Sequence, residues 1–171
     1  MKNIFFFLIF FVLIGCSSQA PILDKISCPN ILVSEEHDIF VFAKNDQIEN
    51  EIPYIAEINN FTFTSDCSIS DNTANFDLEI LFIANPTNTN QQNIFLPFYV
   101  ATVDQFNKLI DMQYYDISAN FKISDQGDYF IETELRKKIN HKLSFKKIEN
   151  DSNYKLIIGF MLSKNQLEIL N

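Results

Sequence analysis

The sequence predicts an all-β chain: an antiparallel β-sandwich of immunoglobulin-like architecture with about seven or eight strands and a short C-terminal helix. Three observations carry this. Apolar residues alternate with polar ones at period 2 in several separate runs, the pattern of strands buried on one face. Those runs are short and divided by turn-forming segments. The composition, 47% hydrophobic and 14% aromatic with only 3 Gly and 5 Pro in 171 residues, supplies a core and excludes low-complexity classes.

The elements follow in order. Tyr54, Ala56 and Ile58 alternate with Ile55, Glu57 and Asn59, and Phe61 and Phe63 then alternate with Thr62 and Thr64. Phe76, Leu78, Ile80 and Phe82 share one face of a second strand. Residues 85–93 contain no apolar side chain and read as an exposed loop. Residues 94–103 form the next apolar strand; Pro97 has no N–H to donate, so this strand is expected at an edge or with a bulge. A hairpin turn at residues 104–108 leads to a long strand over residues 109–123. Asp125-Gln126-Gly127-Asp128 is a clear turn, with Gly127 free to take positive φ. A strand is expected over residues 129–135. Two further strands and a turn follow over residues 136–147, with Ile139, Leu143 and Phe145 inward. Tyr154, Leu156, Ile158, Phe160 and Leu162 share a face of the last strand. Ser163-Lys164-Asn165-Gln166 matches a capping box opening a helix, with Leu167 and Leu170 expected inward.

The first 15 residues read as an address. Lys2 precedes an apolar run over residues 4–14, too short to span a bilayer, which takes ~20 residues, and matched to a secretory h-region. Leu13-Ile14-Gly15-Cys16 then resembles a bacterial lipobox, which implies lipidation of Cys16 and cleavage before it. The expected organisation is a signal peptide at 1–15, a lipidated tether at 16–27 and a sandwich domain at 28–171. Two or more acyl chains make a stable anchor, since each buried CH₂ contributes ~0.8 kcal/mol. Ser17 rather than Asp after the cysteine leans, by analogy, toward the outer membrane with the domain facing the periplasm. With Cys16 set aside, Cys28 and Cys67 remain, and two spare thiols in an oxidising compartment most simply pair.

Further segments extend the pattern. They are Cys28-Pro29-Asn30-Ile31-Leu32-Val33, Ala56-Glu57-Ile58 ahead of Cys67, and Leu96-Pro97-Phe98-Tyr99-Val100-Ala101-Thr102-Val103. Tyr154 leading to Gly159-Phe160-Met161-Leu162-Ser163 and then Gln166-Leu167-Glu168 complete it. In this layout the chain resembles a family of uncharacterised proteobacterial, chiefly alphaproteobacterial, membrane lipoproteins. It departs from that family in ending Leu170-Asn171 without a terminal Arg, and in carrying an Asn-rich stretch after Asn85 where the family has a Gly-rich loop. The resemblance implies a lipid-anchored β-sandwich and no particular activity.

Charge narrows the partners. A net charge of -9 is wrong for phosphate backbones, so no nucleic-acid partner is expected. The exception within this acidic chain is the acid-free segment holding Arg136, Lys137, Lys138, Lys142, Lys146 and Lys147. It is a candidate patch for an anionic head group or partner; the plainer reading is the solvated faces of strands. Glu35-Glu36-His37-Asp38 puts three carboxylates beside an imidazole, but neighbours on an extended chain alternate faces, so no metal site is expected. His141 has only cations near it in sequence. No nucleophile elbow or phosphate loop is present, and no cofactor or catalytic residue is assigned. The expected role is non-catalytic interaction or assembly at the envelope with a protein partner, the alternative being a ligand-binding sandwich with a Phe-lined pocket.

Overall fold

The structure, a computed structural model, describes residues 24–42, 52–87, 91–144 and 154–170. Twelve strands and one helix follow in order: β1 Asp24–Lys25, β2 Asn30–Val33, β3 Ile39–Val41, β4 Tyr54–Phe63, β5 Ser68–Ser70, β6 Thr73–Pro86, β7 Asn93–Val103, β8 Leu109–Asn120, β9 Lys122–Ile123, β10 Phe130–Ile131, β11 Thr133–Ser144, β12 Lys155–Phe160 and α1 Lys164–Leu170.

Two sheets face each other. Sheet A is centred on β6, with β11 along one side and β4 and β5 along the other; β3 pairs outside β4 and β1 outside β5. Sheet B has the order β2-β12-β7-β8. All its pairings are antiparallel except β2 with β12. The chain passes between the two sheets five times, so sandwich describes the architecture while the connectivity is its own.

The alternation in β6 is complete. Ala74, Phe76, Leu78, Ile80, Phe82 and Ala84 are fully buried, and every residue between them is partly exposed. From sheet B, Leu96, Phe98, Val100, Leu156, Ile158 and Phe160 meet them. Phe82 packs on Phe98 at 5.0 Å and on Phe160 at 5.6 Å between ring centroids. Truncating one such ring typically costs ~3–5 kcal/mol. In β4 the apolar phase moves from Ile58 to Phe61, a step of three, and a register shift between Ile58 and Asn60 marks the bulge that absorbs it.

Several expectations are corrected. Of the two alternatives for the strand holding Pro97, the edge is excluded, since β7 lies between β12 and β8; the strand does carry an irregularity, a register shift at Thr102/Val103 rather than at the proline. Proline is tolerated because β12 pairing stops one residue earlier, at Phe160 opposite Phe98, and Met161 N donates to the Pro97 carbonyl at 2.9 Å. The strand expected over 109–123 breaks at Phe121, which turns into the core. The two strands and turn expected beyond residue 135 are one strand, β11, unbroken to Ser144; Phe145 lies outside the described residues. In α1, Leu170 is exposed, and the buried residue is Gln166.

The capping box forms as expected. Ser163 N donates to Gln166 Oε1 at 2.8 Å, and Gln166 N donates to Ser163 Oγ at 3.3 Å. Gln166 Nε2 also donates to the Val41 carbonyl at 2.5 Å, which ties the helix to β3. Gly127 takes φ 81° in its turn. The β5–β6 turn places Asp71 and Asn72 both at positive φ, a conformation those residue types tolerate.

Candidate functional site

Cys16, Lys146 and Lys147 lie outside the described residues. Cys28 and Cys67 form a disulfide with Cα atoms 5.3 Å apart. It ties the segment entering β2 to the β4–β5 connection. Ile26 N donates to the Cys67 carbonyl beside it, and Lys25 pairs with Asp66 across solvent. In the chain-entropy account a bridge over a separation of 39 residues stabilises by roughly 4 kcal/mol.

The pleat divides the basic segment. Arg136, Lys138 and Lys142 point outward from β11, whereas Lys137 falls on the inward series with Leu135, Ile139 and His141, and is half-buried. Arg136 reaches Glu79 at 3.4 Å and Glu134 at 3.6 Å, and Lys138 reaches Glu79 at 3.6 Å. These are exposed pairs, of the kind that contribute well under ~1 kcal/mol each. The outward cations therefore sit in a mixed-charge field on sheet A rather than on a cationic face.

The two histidines lie at different corners. Glu35-Glu36-His37-Asp38 is the link that carries the chain from β2 in sheet B to β3 in sheet A. Glu35 and Glu36 face solvent. The His37 ring turns onto sheet B, where its Nδ1 lies 3.0 Å from the Tyr99 hydroxyl and the rings meet edge to face. Gly159 makes this contact fit: a Cβ there would fall 2.6 Å from Tyr99 Oη and 2.9 Å from His37 Cβ. His37 also accepts Phe160 N–H at its carbonyl, 2.8 Å.

His141 is the most chemically distinctive side chain. It is fully buried on β11, stacked on Phe76, with Nε2 3.1 Å from Thr102 Oγ1 and Nδ1 3.3 Å from the Tyr115 hydroxyl. Tyr115 Oη donates to Gln113 Oε1 at 2.9 Å. Gln113 Nε2 donates to Asp111 at 3.0 Å and to the Lys142 carbonyl at 2.6 Å. Thr102, Asp111, Gln113, Tyr115 and His141 thus form one polar chain, drawn from β7, β8 and β11, where the outer strands of the two sheets meet. Burial holds the His141 pKa down to about 4, with the Asp111 charge opposing, and pushes Tyr115 up to about 12. A neutral imidazole with both nitrogens engaged is a latch between sheets. Sequence proximity could not find it, because its polar partners are 26 and 39 residues away.

Among the described residues no group of three or more His, Cys, Asp and Glu side chains converges as metal ligands, and no helix is long and apolar enough to cross a membrane. An open groove of about 500 Å³ runs beside the disulfide, lined by Ser27, Cys28, Pro29, Asn30, Gln105, Tyr154 and Lys155. It contains no Phe. No family model, no curated protein and no solved structure matches the chain.

Proposed function

We propose that this chain is a lipoprotein of the bacterial envelope, held in the outer membrane by acyl chains on Cys16. Its disulfide-bonded sandwich faces the periplasm and serves a non-catalytic interaction or assembly role. Membership of the lipoprotein family it resembles is part of the same proposal. The observation that carries it is the use of the cysteines. The chain has 3; Cys28 and Cys67 are joined, and the third is the one that ends Leu13-Ile14-Gly15-Cys16 behind an apolar run. The interaction role is favoured over chemistry by the engagement of both histidines in structural contacts with hydroxyls.

The test is Cys16→Ser in the full chain, followed by labelling with a palmitate analogue and by membrane sedimentation. The natural chain should take label and sediment with membranes, and C16S should do neither. Sedimentation of C16S together with no labelling of the natural chain would overturn the proposal. The second reading, small-ligand binding, rests on the groove beside Cys28, whose volume falls in the range of ligand sites though its lining is largely polar.

A further inference from the structure

The outer faces of the two sheets differ in kind. Along β6 and β11 alone, sheet A points Asp77, Glu79, Glu134, Arg136, Lys138 and Lys142 outward. Sheet B points outward only two charged side chains among its described strand residues, Lys155 near one end and Asp116 near the other. Between them the face is apolar. Leu32, Ile157, Ala101 and Met112 stand in register as one row across all four strands. In the next row Tyr99 pairs with Tyr114, and Phe95 lies further along β7. Tyr114 is 63% exposed, and Leu32 and Phe95 are 48% exposed, so these side chains are open to solvent, whereas Ala101 is buried beneath its neighbours and Tyr99 is half-buried against the His37 ring.

We infer that the outer face of sheet B is where a second copy of this chain docks, through the row Leu32–Ile157–Ala101–Met112 and the Tyr99–Tyr114 pair. Three arguments commit the face to that occupant. The first is area. Nine residues each of β7 and β8, six of β12 and four of β2, at ~3.3 Å per residue and ~4.8 Å per strand, project to roughly 450 Å². Two such faces bury ~900 Å² before side-chain relief is counted, and the relief of the aromatic and branched side chains carries the contact to the ~1,000 Å² of a specific interface. The second is charge. Two chains of net charge -9 repel, and this neutral face lets them meet without burying like charges. The same charge opposes an anionic bilayer, and among the described residues no ring of cations surrounds the face to offset it. The third is composition: Tyr and Met in the centre, with Lys155 opposite Val103 and Asp116 opposite Pro97 toward the two ends and Phe95 beyond, is the make-up of a buried interface. A flat, ribbed, neutral face is self-complementary, as a two-fold contact requires.

The inference rests on the sheet face and not on the anchor, so it stands or falls apart from Cys16. The experiment uses the full chain in cells, co-expressed with two different tags, with the photoreactive aromatic p-benzoylphenylalanine in place of Tyr114. The same probe replaces Thr62 on the outer face of sheet A. Illumination should shift the Tyr114-probe chain to a species of twice the mass that carries both tags, with the cross-linked peptide from β2, β7, β8 or β12. The Thr62 probe should give no such species, and adding Leu32→Asp to the Tyr114-probe chain should remove it. Capture of lipid or of a different protein by the Tyr114 probe, absence of the doubled species, or its equal formation from the Thr62 probe would overturn the inference.

Discussion

Acid should loosen this fold through one side chain. His141 is neutral in the folded state, with a pKa of about 4 against an ordinary 6.5, because burial between the sheets penalises its charged form. The unfolded chain therefore binds more protons than the folded one wherever the pH lies below 6.5. The stability this supplies is fully present above pH 6.5, declines as pH falls through the window from 6.5 to 4, and changes little below it. A shift of that size corresponds to about 3 kcal/mol at most, a large share of the ~5–15 kcal/mol that stabilises a domain. The carboxylates with depressed values, Asp66 and Asp77, act lower still, since their ordinary value is 3.8. The interval from pH 6.5 to 4.5 accordingly isolates the histidine. Urea unfolding of the full chain at half-unit steps from pH 8 to 4 should show a flat plateau and then a steepening loss. His141→Gln should be less stable at pH 8 and lose little more on acidification, so that the two curves converge. A natural chain whose stability is level from pH 7 to 4.5, or a variant with the same acid slope, would refute the reasoning.

Other outcomes follow from single contacts. Tyr54 reaches from sheet A to donate to the Phe95 carbonyl at 2.9 Å and accept from Phe95 N at 3.0 Å. Tyr54→Phe should therefore cost ~1–3 kcal/mol, read as a drop in thermal midpoint of a few degrees. Cys28→Ser with Cys67→Ser should lower unfolding free energy by roughly 4 kcal/mol, measured against the natural chain and lost equally on reducing the latter. Gly159→Ala must displace Tyr99 or His37, so it should destabilise by ~1–3 kcal/mol, and Tyr99→Phe in the same chain should relieve part of that cost. Truncating Arg136, Lys137 and Lys138 to Ala should leave retention on anionic vesicles unchanged if Glu79 and Glu134 already balance the outward cations, which a flotation assay reads.

What could be read from the residues depended on range. Burial on one face imposes period 2 whatever the partner, so β4, β6 and β12 were legible from alternation, and β7 from its continuous apolar run. The Asp-Gln-Gly-Asp turn and the capping box at Ser163 were legible because their hydrogen bonds close within a few residues. β2 and β3 were missed because each is short and owes its pairing to remote strands: β2 runs parallel to β12, more than 120 residues away in sequence. The β4 bulge was present as the change of phase between Ile58 and Phe61, and the β5–β6 turn as Asp71-Asn72, yet neither proclaims itself without a partner strand. Leu170 was expected inward on helical spacing, but a seven-residue helix has few contacts, and the Gln166 bond to Val41 decides which side it presents.

Pro97 shows how a sound local rule met a non-local exception. The rule is that a residue lacking an N–H leaves a gap in a ladder, so proline belongs at an edge. The gap matters only where a neighbour waits to accept, and on the side of β7 that faces β12 the neighbour ends at Phe160. Past that end the Phe95 backbone would be left unpaired within a sandwich, and an unpaired buried amide costs ~1–3 kcal/mol. Tyr54 removes that cost by bonding both Phe95 N–H and carbonyl with one hydroxyl; burial pushes the pKa of that hydroxyl up to about 12, with the bond to the Phe95 carbonyl opposing the rise. The short strand, the proline and the tyrosine are thus one arrangement. Lengthening β12 would require removing Pro97, and removing Pro97 alone would gain nothing, because the Tyr54 hydroxyl already occupies the place a longer strand would take.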